Sequence, residues 1–201
     1  MSNTTRTFVA VEVPQGIAEK LERLQRELAP EAIGVRWIAP QQLHITLAFL
    51  GDVAHRDLSQ VCEAVGQAVL SYTPFDLTLQ GLGAFPTPKK PRNLWVGATG
   101  PGAEAMIALQ RAVAQAIHRV GYPPDDKRFH PHVTLGRIKP FRSPPLNAEP
   151  LIQRHQSWIG GSFRVAEVIT FSSTLTPEGP LYAALARARL GGTPNRQRTE
   201  S

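Results

Sequence analysis

Two short β-rich segments of nearly the same pattern constrain this chain most. His44-Ile45-Thr46-Leu47-Ala48-Phe49-Leu50-Gly51 lies in the first half and His132-Val133-Thr134-Leu135-Gly136-Arg137 in the second. Side chains of a strand alternate between faces, so each segment sets an imidazole and a hydroxyl side by side: His44 with Thr46, His132 with Thr134. Ile45, Leu47, Val133 and Leu135 point the other way, where they can enter a core. Such a pair implies a duplicated arrangement, with one of these strands central to each half.

The flanking pattern gives the fold class. Thr7 to Val13 reads as a first strand stopped by Pro14, and Ile17, Leu21, Leu24 and Leu28 follow at helical spacing. Leu43 to Leu50 is a strand ending at the turn signal Gly51-Asp52. Leu58, Val61, Cys62, Val65 and Val69 mark a second helix with Cys62 on its apolar face. Phe75, Leu77 and Leu79 alternate up to Gly81, and Leu94 to Gly97 is a short strand. Met106 to Val120 carries a third helix, Phe129 to Ile138 is extended, and Pro140 to Pro150 reads as an irregular linker. Phe163 to Leu175 is predicted as one long strand, joined by a turn at Thr176-Pro177-Glu178-Gly179 to a partner over Leu181 to Leu190. This order fits neither a Rossmann alternation nor an all-β spacing; it predicts an α+β chain of antiparallel sheets flanked by helices. We expect one bilobal domain over residues 1–190 and a disordered basic tail over 191–201.

Composition narrows the partners. A hydrophobic fraction of 42% supports a core, and 19% charged residues are too few for a disordered chain. No apolar run reaches the ~18–20 residues of a membrane span, and the polar Met1 to Arg6 does not read as a signal peptide. The single cysteine, Cys62, excludes an internal disulfide and any cysteine-built metal site. A cytoplasmic monomer with no obligate protein partner is expected. Net charge of +6 favours anionic ligands such as RNA or nucleotides, and Lys89, Lys90 and Arg92 form a basic loop that reads either as an RNA-steering patch or as solvated surface.

Paired His and Thr suit phosphodiester chemistry. Two imidazoles can serve as base and acid near neutrality, and two hydroxyls can donate to phosphate oxygens as charge grows there. Neither segment carries the carboxylates a magnesium site would use, so no cofactor and no metal is expected. His130 shares a nominal face with His132, but no acidic fourth ligand accompanies the three histidines. Arg137 stands at an odd offset from His132, so an ideal strand would turn it away. A bend at Gly136 would bring it to phosphate; otherwise it serves a structural ion pair. Phe49 and Trp37 are readable either as base-stacking or as core residues.

These segments closely resemble the paired signature of the two-histidine (2H) phosphoesterase superfamily. Trp37, Pro91-Arg92-Asn93-Leu94-Trp95-Val96-Gly97, and Ser173-x-Leu175 with Gly179 and Tyr182 extend the likeness to its RNA 2′,3′-cyclic phosphodiesterase branch, also described as 2′-5′ RNA ligase-like. The resemblance runs from about Thr7 to Leu190. It implies two pseudo-symmetric lobes around a cleft, and hydrolysis of RNA 2′,3′-cyclic phosphate ends to 2′-phosphomonoesters, with reverse 2′-5′ ligation. It assigns His44 as proton donor to the leaving 3′-oxygen, His132 as proton acceptor from water, and Thr46, Thr134 and Arg137 to phosphate. Two rivals stand beside it: a phosphodiesterase of small cyclic nucleotides or ADP-ribose cyclic phosphate, and a catalytically idle RNA-binding module.

Overall fold

A computed structural model describes residues 3–123, 128–138, 146–177 and 179–191. One sheet holds β1 (Thr4–Glu12), β3 (His44–Ala54), β8 (Glu167–Thr176) and β9 (Gly179–Arg189), in the spatial order β3-β1-β8-β9. The other holds β2 (Val35–Trp37), β4 (Phe75–Phe85), β5 (Asn93–Thr99), β6 (His132–Ile138) and β7 (Ile159–Val165), in the order β2-β6-β5-β4-β7. Every pairing is antiparallel, as the α+β reading requires.

Read from the motif strands, β3-β1-β8-β9 in one sheet matches β6-β5-β4-β7 in the other, which is the duplication expected from sequence. The expected central position is found only for β6; β3 closes the edge of its sheet. The cause is β2. It pairs with β6 in the second sheet, and the chain then crosses through a 3₁₀ turn, Pro40–Gln42, straight into β3.

Helices α1 (Gln15–Leu28), α2 (Leu58–Val69) and α3 (Pro101–Arg119) each bury one apolar stripe. Pro14 precedes α1 in extended conformation, and Pro101 opens α3, where its missing N–H costs nothing. Leu21, Leu24 and Leu28 of α1 and Met106 and Leu109 of α3 are wholly buried with Ile45, Leu77, Leu79, Leu94 and Leu135. Each such side chain contributes about 1.5–3 kcal/mol of burial free energy. A separate small cluster of Phe8, Ala10, Ile169 and Phe171, with Tyr182 against it, lies on the other face of the first sheet, since Val9 and Val11 of the same strand enter the main core. That other face is open, and it carries the site. Among the described residues no helix is long and apolar enough to cross a membrane.

Four sequence expectations are corrected. Gly51 and Gly81 do not end strands; both take positive φ (71° and 78°) at irregularities inside β3 and β4, which run on. The predicted single strand from Phe163 to Leu175 is two, β7 and β8, which part around Ala166 and join different sheets. The proline-rich linker ends in a fourth helix, α4 (Glu149–His155), with Pro150 in its first turn where proline is tolerated. The rest of that linker up to residue 145, Glu178 of the predicted turn, and the tail from residue 192 lie outside the described residues.

Candidate active site

The two motif strands, β3 and β6, pack side by side where the sheets meet. Seven residues from each histidine share one burial sequence: half-buried, buried, half-buried, buried, buried, exposed, half-buried. The two buried residues in succession mark a bulge. Ala10 and Val9 of β1 face Thr46 and Ala48, leaving Leu47 as the extra residue; Trp95 and Leu94 of β5 face Thr134 and Gly136, leaving Leu135 extra. An extra residue reverses strand parity. It therefore brings Phe49 onto the face of His44 and Thr46, and Arg137 onto the face of His132 and Thr134. The odd offset of Arg137 is resolved by a bulge one residue before the glycine that sequence pointed to.

The histidines are anchored alike. His44 Nδ1–H donates to the carbonyl of Gln42 (2.6 Å), and His132 Nδ1–H to the carbonyl of His130 (2.7 Å). A carbonyl can only accept, so each ring is held in the tautomer whose Nε2 is free for proton transfer. Aromatic walls fix the ring planes. Phe8 (centroid distance 5.1 Å) and Tyr182 (5.5 Å, edge-on) flank His44; Phe85 (5.1 Å, edge-on) and Trp95 (5.8 Å) flank His132. The Trp95 ring lies against Gly83, where a Cβ would collide with it, and close to Gly97, where a Cβ would stand 3.1 Å from it.

Burial lowers the pKa of both imidazoles below the usual histidine value, partly offset by their carbonyl partners. His44 is lowered further by the positive fields of Arg137 and His132, against a smaller opposing effect from Glu12. His132 feels only the added field of His130. Arg137, from one sheet, and Arg6, from the other, both act on the Tyr182 hydroxyl, so cationic groups surround the open face from two sides. Among the described residues Arg137 makes no salt bridge.

The remaining sequence candidates fall as follows. Phe49 is 59% exposed, with its ring 6.0 Å from Phe8, and is available for stacking. Trp37 is half-buried and packs against the main core, with its ring beside Gly136. His130 lies against Trp95 (4.9 Å), and among the described residues no three His, Cys, Asp or Glu side chains converge to hold a metal ion. Cys62 is half-buried beside Thr170, away from the histidines, and burial raises its thiol pKa, the opposite of an activated nucleophile. Lys89 approaches Glu149 at 3.9 Å as an exposed pair. A groove of about 910 Å³ opens beside the end of β1, lined by Glu12, Glu19, Glu22 and Glu167 together with Arg164. Sequence reasoning missed Phe8, Phe85 and Arg6, and it quoted Trp95 and Tyr182 for the family likeness alone, without their place against the histidines. The alternation Arg6-x-Phe8-x-Ala10 was the available signal, since it places all three on one face of β1.

Two imidazoles and two hydroxyls on matched strands of a duplicated α+β fold define the class as a two-histidine phosphoesterase. The family described as LigT-like phosphoesterase matches twice, over residues 11–95 and 96–182, one match for each motif. The chain belongs to that family. A relative from Methanothermobacter thermautotrophicus, named RNA 2′,3′-cyclic phosphodiesterase, is 35% identical over 92% of this chain and 98% of its own. The crystal structure of TT0787 from Thermus thermophilus superposes with a TM-score of 0.76 at 28% identity, covering 93% of this chain and 98% of that one. That of E. coli LigT complexed with 3′-AMP gives 0.74 at 26% identity, again over 93% and 98%.

Proposed function

We propose that the chain hydrolyses RNA 2′,3′-cyclic phosphate ends to 2′-phosphomonoesters without a metal ion. The observation that carries this reading is the matched anchoring of the two histidines, which frees both Nε2 atoms on one open face beside two threonine hydroxyls. Neutral His132 takes a proton from water as the water oxygen bonds to phosphorus. The bond from phosphorus to the 3′-oxygen breaks, and protonated His44 supplies that oxygen with its proton. Thr46, Thr134 and Arg137 donate to the non-bridging oxygens, where charge accumulates. The assignment of His44 as donor and His132 as acceptor follows the likeness to the two-histidine phosphoesterases; the fields of Arg137 and His132 lower the pKa of His44. With a 5′-hydroxyl in place of water, the same two groups deprotonate it as its oxygen bonds to phosphorus and protonate the departing 3′-oxygen, giving a 2′-5′ linkage; in water, hydrolysis dominates. The name of the Methanothermobacter relative and the 3′-AMP bound to LigT support a nucleotide or RNA-end substrate.

The test is phosphorus NMR of a short RNA ending in 2′,3′-cyclic phosphate, incubated in excess EDTA. The reading predicts a 2′-phosphomonoester from the parent protein and none from His44→Ala or His132→Ala. A 3′-phosphomonoester would overturn the regiochemistry, and turnover only after a divalent ion is added would overturn the metal independence.

A further inference from the structure

The two bulges that turn Arg137 and Phe49 into the site are held from outside their own sheets. Gln25 of α1 is 4% exposed, and its amide donates to the Leu135 carbonyl (2.9 Å) and to the Ile38 carbonyl (2.8 Å). Gln110 of α3 donates to the Leu47 carbonyl (3.2 Å). Leu135 and Leu47 are the extra residues of the two bulges. A bulged residue falls out of the ladder, and its carbonyl needs another partner. A glutamine on a helix serves each: Gln110 bonds the Leu47 carbonyl, and Gln25 adds a second bond to the Leu135 carbonyl, which also accepts the Ile38 N–H (2.8 Å). The helices are exchanged: α1, which precedes the first motif, holds the bulge of the second, and α3, which precedes the second, holds that of the first.

We propose that Gln25 and Gln110 are positioning residues, each locking the bulge that aims one substrate-binding side chain of the opposite motif. Gln25 acts through Arg137 and so on phosphate; Gln110 acts through Phe49 and so on the base. Leu, Met or Val at either position would fill the same space, and Gln25 stands in a helix stripe of Ile17, Leu21, Leu24 and Leu28, where an apolar residue would pack as well. A buried amide there is explained by the carbonyl it serves. This inference rests on the proposed function, because it is read through turnover of the cyclic phosphate.

Double-mutant cycles test it on the full chain, using kcat/KM for the RNA cyclic phosphate. Arg137→Gln should lower kcat/KM by about tenfold or more, the scale of one lost charge-assisted hydrogen bond. Gln25→Met should lower it by no more than that, and should have no further effect in the Arg137→Gln background, while still multiplying with Phe49→Ala. Gln110→Met should show the reverse dependence, silent beside Phe49→Ala and multiplying with Arg137→Gln. Gln110 makes a single bond from a half-buried position, so its variant keeps the test open if Gln25→Met does not fold. Losses that multiply in every combination would mean the glutamines support the fold only, and would overturn the inference. No turnover by the parent would instead overturn the proposed function.

Discussion

Gly136→Ala should separate the bulge from the chemistry it serves. A Cβ at this position would overlap Val35 Cγ1, approach the Trp37 ring to 2.9 Å and the Arg36 carbonyl oxygen to 3.3 Å. Val35 is stiff at χ1, and Trp37 is packed against the main core, so neither can give way freely. Either β2 moves off β6 or the bulge straightens. Overpacking of this kind costs about 1–3 kcal/mol. For an m-value of about 2 kcal/mol/M, urea denaturation should show the midpoint lowered by about 0.5–1.5 M with the slope unchanged. Straightening also withdraws Arg137, so kcat/KM should fall toward the level of Arg137→Gln. Arg137 is exposed, so Arg137→Gln itself should leave the midpoint where it was. Gly66→Ala is the control; it lies in α2 with open space around it, and alanine there should stabilise by about 0.5–1 kcal/mol. A Gly136→Ala protein as stable and as active as the parent would refute both the packing argument and the role of the bulge.

The pH dependence follows from the lowered histidine pKa values. The bell-shaped profile of kcat/KM reports the free protein, and its centre should lie below the ordinary histidine value of about 6.5. In Arg137→Gln, the removal of a positive field should raise the limb belonging to His44; an unmoved limb would mean the two groups do not interact. Because the folded values are depressed, unfolded histidines take up protons first. The histidine contribution to stability is therefore complete above pH of about 6.5 and is lost as pH falls through the lower folded values, which melting curves of His44→Asn and His132→Asn would check against the parent. Phe49→Ala should leave the melting temperature nearly unchanged, since the ring is largely exposed, yet raise KM by about 5- to 150-fold if it carries a stacked base at about 1–3 kcal/mol. An unchanged KM would return Phe49 to the surface.

The reacting groups were legible because alternation along a strand is a short-range property: His44 with Thr46 and His132 with Thr134 needed no knowledge of the fold. Apolar periodicity likewise located α1, α2 and α3, and the closing β8–β9 hairpin followed from the turn before its last strand and the glycine pair after it. What escaped sequence depended on pairing between distant segments. The bulges at Leu47 and Leu135 exist only in the register with β1 and β5, so the direction of Arg137 could not be read from β6 alone. Gly51 and Gly81 look like strand ends in isolation, but positive φ at a bulge lets the strands continue. The Phe163 to Leu175 run is unbroken in pattern, and only its two neighbours, β4 and β1, divide it between sheets. Gln25 is a polar residue in an apolar stripe, a visible anomaly whose partner lies 110 residues away.

The division of labour between the two histidines is tested most directly by a cyclic phosphate in which sulfur replaces the bridging 3′-oxygen. A thiolate leaves without needing a proton, whereas water must still be deprotonated. On this substrate His44→Ala should recover to within about tenfold of the parent rate, while His132→Ala should stay lower by about 10²–10⁴-fold, the usual contribution of a general base. Recovery of His132→Ala with His44→Ala still impaired would reverse the two roles. Equal loss in both variants on the sulfur substrate would contradict the acid–base account altogether.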